Sequence, residues 1–420
     1  MKKYFKPSKE LMLSIMFFAP QINYYLSLLL SQFEIPTLTQ YVYFVLYALG
    51  VMSYFMALKH VNVIFSAGIL ILLLLLSYAF DNSLSQYMFS GSLFSSPVPV
   101  LLFIYFPVFL LFLNKLDFPL LMRLLYFFSI ITLLIAVSVL GVYVFIIRSM
   151  PVDYMSFAYL ILTPTFVCFI WGLNGALFSF ILSLLGGFSI FIVGCRGALV
   201  ALIAFLVLSS LYSFISKKGK IDRRVKGFIL FVAFILILLS FHNMLSSLSD
   251  NLGSLDLQSR TVERLLLGSS DFLQRESRQD LWKQAIDNTG FFMGKGLFAD
   301  RNVLLDFNGQ SAYTHNFFLE VLLEFGFVFG FIILILFLST IIKSVIIARK
   351  SKDYFMVEMS FAMLSVFLIK HMLSSSYLIS TDFWFYLGFA VQIVTNKDVY
   401  LNTSLNKIEE QKTEEMPVLT

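Results

Sequence analysis

The sequence predicts an all-α integral membrane protein of about twelve transmembrane helices, with one large extracytoplasmic loop carrying short helices. Three observations predict it. Of 420 residues, 59% are hydrophobic and 13% charged, with a mean hydropathy of +0.86; soluble domains average roughly 45–50% apolar and about 25% charged residues. Apolar runs of about 20 residues, the length that crosses a bilayer, recur along most of the chain. A single long polar stretch, residues 246–313, interrupts them.

The runs lie near residues 11–30, 37–58, 61–80, 98–114, 121–147, 154–171, 173–193, 197–216, 227–245, 322–342, 355–373 and 377–395. Pro20, Gln21 and Asn23 interrupt the first. Lys2, Lys3, Lys6 and Lys9 precede it without a small-residue cleavage site, so it reads as a retained start-transfer helix. The seventh and eighth runs form a tight hairpin whose turn is Gly194-Cys195-Arg196-Gly197. The chain thus divides into helices over 1–245, a loop or lid over 246–313, further helices over 314–396 and a polar tail over 397–420.

Charge sets the orientation. With both termini in the cytoplasm, 20 of the 30 Lys and Arg fall on inward segments, including a cluster over 217–226, as the positive-inside rule requires. Seven of the other ten lie in the long loop; Arg148, Arg196 and Lys370 lie at outer helix ends. The loop and the Arg196 turn therefore face outward from a cytoplasmic (inner) membrane. The net charge of +5 serves topology and gives no reason to expect a nucleic-acid partner. Cys168 and Cys195 sit in or beside apolar runs, which indicates neither a disulfide framework nor a metal site.

The loop is far longer than an ordinary connection, and its composition argues for order. Leu255, Leu257, Val262, Leu265 and Leu266 line one short helix; Leu281, Trp282, Ala285 and Ile286 recur at helical spacing after Ser277. Its seven basic residues stand against nine acidic ones, too balanced for an electrostatic anion trap. The pattern reads as a lid with particular arginines aimed inward.

Four features stand out. Arg196 lies between two apolar helices and reads either as a turn residue snorkelling to the interface or as an anion clamp. The guanidinium fork matches phosphate oxygens, and flanking glycines such as Gly197 admit a ligand to the backbone. Arg278 opens Ser277-Arg-Gln-Asp-Leu-Trp282, followed by Gly290, Gly294 and Gly296; it is either a solvated helix-surface residue or a second anion ligand. His315 begins the run that becomes the tenth span, as a structural residue or as a general base near neutral pH. On an ideal helix it shares a face with Leu319 and Leu322, with Glu324 opposite and Glu320 off to the side. Lys370 and His371 end the eleventh span at the same outer level, and two basic residues in an apolar run either snorkel or invite an anionic partner. The sequence has no Walker-type phosphate loop, no HExxH and no His/Cys/Asp metal cluster, so neither a metal nor another cofactor is expected.

Three of these segments, in this order, resemble the O-antigen polymerase and O-antigen ligase superfamily of bacterial envelope glycosyltransferases. They are the RG turn (Arg196, Gly197), the SR…W…G.G stretch (Ser277, Arg278, Trp282, Gly294, Gly296) and the HN..LE start of the next span (His315, Asn316, Leu319, Glu320). The resemblance covers roughly residues 180–340. It implies a GT-C-like membrane fold and transfer of an undecaprenyl-pyrophosphate-linked oligosaccharide to a sugar hydroxyl at the outer face, without metal or nucleotide. Arg196 and Arg278 would be catalytic as ligands of the departing pyrophosphate, with Gly197 and Asn316 beside them, and His315 would take the acceptor proton. Lys370 and His371 are added to the substrate site by the reading above. A chain-length regulator and a flippase are the implied protein partners. A repeat-unit polymerase making capsule or O-antigen is the leading expectation, and an O-antigen ligase the alternative. A flippase or transporter fits less well, because internal repeats are absent here.

Overall fold

The computed structural model describes residues 8–31, 37–57, 61–80, 96–147, 153–216, 276–304, 313–351, 353–373 and 376–400. The predicted 227–245 span, the basic cluster over 217–226, the loop up to residue 275 and most of the tail lie outside the described residues. Among the described residues every regular element is a helix. In chain order these are α1 (Lys9–Ser31), α2 (Thr37–Ala57), α3 (Val61–Phe80), α4 (Pro97–Phe112), α5 (Phe118–Ile147), α6 (Tyr154–Leu173), α7 (Leu177–Val193) and α8 (Arg196–Ser216). They continue as α9 (Glu276–Asn288), α10 (Asp300–Val303), α11 (Phe317–Phe325), α12 (Phe327–Ser351), α13 (Tyr354–Leu373) and α14 (Thr381–Thr395). Helices α1, α5, α6, α12 and α13 are long and apolar enough to cross a membrane, and shorter apolar helices lie within α2, α3, α4, α7 and α8. The chain is an all-α membrane protein.

Local chemistry explains where the helices start. Ser8, Asp117, Asp153, Asn316 and Asp353 each accept a backbone N–H from the first turn that follows, satisfying donors a helix start leaves unpaired. Within α4, Pro107 removes an N–H from the ladder, and residues 101–105 widen into a π turn just before it. There the Leu102 carbonyl accepts the Tyr54 hydroxyl at 2.7 Å.

Packing explains the polar residues of the first run. Gln21 and Asn23 are buried on α1, whose Tyr25 hydroxyl donates to the Phe157 carbonyl of α6 at 2.9 Å. They face protein rather than lipid. Helices α6 and α13 are mostly buried, whereas little more than a quarter of α12 is. An aromatic core closes the outer helices together: Phe317 packs against Phe337, Phe367, Tyr377 and Phe383 at centroid distances of 5.0–5.6 Å. That ring fixes α11, the helix His315 leads into.

One expected element differs. The 322–342 run is broken at Gly326 into α11 and α12. Gly326 has φ 84°, and a Cβ there would meet the Phe292 carbonyl and the Gly294 amide at 2.7–2.9 Å. Apart from Glu324 the run is apolar on both sides of Gly326, so hydropathy gives no sign of the corner; the loop packed into it makes it.

Candidate functional site

His315 is not helical. It precedes the cap of α11 with φ 51°, a left-handed conformation uncommon outside glycine, though histidine is among the residues that adopt it more often. The sequence expectation that His315 starts the span, and the face assignments built on it, are corrected accordingly. Both flanks are tied down. The Thr314 carbonyl accepts the Trp282 indole N–H at 3.0 Å, and the Thr314 N–H donates to Asp300 Oδ2 at 3.4 Å. The Thr314 hydroxyl donates to the Asn316 carbonyl at 3.1 Å. Asn316, expected beside the substrate, caps α11: its Oδ1 accepts from Phe318 and Leu319 at 3.0 and 3.3 Å. The imidazole lies against the Tyr313 ring, with centroids 3.8 Å apart, and the Arg301 guanidinium carbon stands 4.9 Å from that ring's centroid.

Beneath this corner lies a buried acidic cluster that the sequence reading did not identify. Asp300, Glu320 and Glu324 each bring a carboxylate oxygen within 4.8 Å of the others, and all three are buried. Arg301 pairs with Asp300 and reaches Glu320 at 3.4 Å. The Ser376 hydroxyl donates to Glu320, and the Tyr377 hydroxyl and the Phe298 N–H donate to the two oxygens of Glu324. The cluster has metal-ligating spacing, but one guanidinium and four hydrogen-bond donors, from Thr314, Ser376, Tyr377 and Phe298, already serve four of its six oxygens. Burial, then the Asp300 carboxylate, raises the Glu320 carboxyl to about 8 against the pull of Arg301. Protonation thus offsets the surplus negative charge, since an unpaired carboxylate in a low-dielectric site is costly. Two acids four residues apart in an otherwise apolar helix were the available signal.

The long loop returns onto this corner through a short backbone ladder. Lys295 and Gly296 donate to the Leu323 and Glu324 carbonyls at 2.9 and 3.0 Å; Phe327 and Val328, the first donors of α12, bond to Gly290 and Phe291 at 2.8 and 3.0 Å. A Cβ on Gly294 would strike the Glu324 carbonyl, so the G.G spacing is a requirement for close backbone approach. Leu281 and Ala285 of α9 pack with Leu304 and Leu319 beside it. Ile286, expected on the same apolar face, is exposed instead.

The RG turn joins α7 to α8. Arg196 is exposed and opens α8, where the positive end of the helix dipole favours an anion. Burial raises the Cys195 thiol just before it, while the Ala198 and Gly197 amides, the Tyr159 hydroxyl and the Lys370 ammonium draw it back. Lys370 is buried and paired with Asp382, whose other oxygen accepts the Thr163 hydroxyl at 3.2 Å. The anionic partner that an intramembrane lysine invites is therefore a carboxylate of the chain itself. His371 is buried too, lining a small cavity with Phe337, Phe367 and Phe383. Arg278 lies in the first turn of α9, and its side chain is not among those described.

Residues 178–335 match the family model described as O-antigen ligase. That segment is similar to the O-antigen ligases. The matched segment holds the RG turn, the SR…W…G.G stretch and the HN..LE corner in that order, so the resemblance read from those motifs is shown. No curated protein and no solved structure matches the chain. Within the matched segment, the structure joins the second motif to the third through Trp282 and Thr314, and through Gly294, Gly296 and Glu324. The RG turn connects by a longer route: Cys195 neighbours Lys370 on α13, and Ser376 and Tyr377 beyond α13 reach Glu320 and Glu324.

Proposed function

We propose that this protein is a polymerase that joins undecaprenyl-pyrophosphate-linked oligosaccharide repeat units into a surface polysaccharide, capsule or O-antigen. It acts at the outer face of the cytoplasmic membrane, as a twelve-span protein with both termini inside. The acceptor sugar hydroxyl attacks the anomeric carbon of the donor glycan. The bond to pyrophosphate breaks, undecaprenyl pyrophosphate departs with the electron pair, and His315 takes the hydroxyl proton, a role typically worth about 10²–10⁴-fold. Arg196 and Arg278 neutralise the charge gathering on the pyrophosphate, with Gly197 admitting it to the backbone of the turn. Asn316 serves by fixing His315 through the cap. The Lys370–Asp382 pair narrows the role of Lys370 and His371 to holding α13 and α14 together.

The observation that carries this reading is the left-handed His315, whose neighbour Thr314 is bonded to Trp282 and Asp300 and whose ring lies against Tyr313, between the loop and α11. Such a restrained imidazole suits a base that must meet one proton in one direction. Complementing a deletion strain with His315→Ala should leave the protein in the membrane and abolish long-chain polysaccharide; a normal chain-length ladder would remove His315 from the chemistry.

A ligase is the second reading, favoured by the description of the matching family as O-antigen ligase. The deletion strain separates the two. Single repeat units on the carrier or final acceptor mark a polymerase; long unattached chains mark a ligase.

A further inference from the structure

The loop between Gly290 and Gly294 ends in an apolar tip. Phe291, Phe292 and Met293 are 65%, 62% and 73% exposed, and three large apolar neighbours left uncovered mark an interaction surface. The tip is not free to fold its rings away, because the backbone on both sides is tied to the α11–α12 corner. Its rings continue a surface already assigned. Phe291 stacks parallel to Phe327 at 6.1 Å, and Phe327 to Phe331 at 6.2 Å. Phe327 and Phe331 lie exposed on α12, a helix long and apolar enough to span. A spanning helix turns such a face to lipid, and the stack carries that face without a break onto the tip. Lys295, exposed two residues beyond Met293, stands where the ammonium of an interfacial lysine reaches for headgroup phosphate.

We propose that Phe291, Phe292 and Met293 insert among the acyl chains of the leaflet on the loop's side, anchoring the end of α9 to the bilayer surface. The anchor sets the height above the membrane of the helix that carries Ser277, Arg278 and Trp282. It depends on α12 spanning the membrane and not on the chemistry assigned to His315.

The test reconstitutes the full chain into vesicles of phosphatidylethanolamine and phosphatidylglycerol. Met293→Cys and Phe292→Cys, in a Cys168→Ala/Cys195→Ala background, receive a nitroxide label, as does Lys283→Cys on the exposed face of α9 for comparison. The tip labels are expected to collide with oxygen freely and with a water-soluble nickel chelate several-fold less than the label at 283. Equal nickel accessibility would overturn the anchor, and so would shielding from both reagents, the sign of a protein partner covering the tip. If the cysteine-free background does not fold, a benzophenone side chain at position 293 in the otherwise native sequence decides the matter: photoadducts to lipid support insertion, and their absence rejects it.

Discussion

The Lys370–Asp382 pair permits a test that separates holding the bundle from binding the substrate. Lys370 is 6% exposed and Asp382 2%. The Asp382 carboxylate also accepts the Thr163 hydroxyl, which lies 3.1 Å from that of Tyr386, and the Lys370 ammonium lies 5.6 Å from the Tyr159 ring centroid. Lys370→Met leaves a buried carboxylate facing hydroxyls alone, and removing one partner of a buried pair costs about 3–5 kcal/mol. Replacing both, as Lys370→Met with Asp382→Leu, removes the stranded charge; such replacements range from neutral to roughly 1–4 kcal/mol stabilising. Thermal unfolding of the detergent-solubilised protein should show the single variant several degrees less stable and the double variant restored. The polysaccharide ladder of a complemented deletion strain should follow the same order. A single variant as stable as the native protein would refute the pairing argument. A double variant that regains stability but makes no polymer would return Lys370 to the substrate.

Three further outcomes follow from the corner around His315. Trp282→Phe keeps an aromatic side chain, though a smaller one, and removes the N–H bonded to Thr314, a loss of about 1 kcal/mol for the bond; transfer by the purified protein should slow while its membrane level holds. Gly294→Ala drives a methyl into the Glu324 carbonyl and should cost about 1–3 kcal/mol or more, measured as a drop in Tm. Glu320, raised to about 8, stabilises the fold while protonated. Its contribution is fully present below the ordinary carboxylate range and is lost as pH rises through about 8. Tm should therefore fall between pH 5 and about 9 in the native protein and more shallowly in Glu320→Gln; parallel curves would contradict the assignment.

Hydropathy located the described spanning helices because a bilayer imposes length and apolarity on each segment separately. It was silent on Gly326, where the corner depends on a loop packed against it and not on the run itself. The motif residues were readable, their geometry was not. Trp282 reaches Thr314 across 32 residues of chain, and the acidic cluster gathers Asp300 with Glu320 and Glu324 from separate elements. Lys370 was legible as an unusual intramembrane charge, and Asp382, a lone acid in the 377–395 run, was its legible partner. Only packing could pair them.

The first amides of α12 bond to carbonyls of Gly290 and Phe291, so a membrane helix borrows its cap from the loop. Chimaeras that trade the loop alone between relatives, in search of new acceptors, would uncap that helix at the edge of the hydrocarbon, where an unmatched amide costs several kcal/mol. The natural unit of exchange runs from α9 through the first turn of α12.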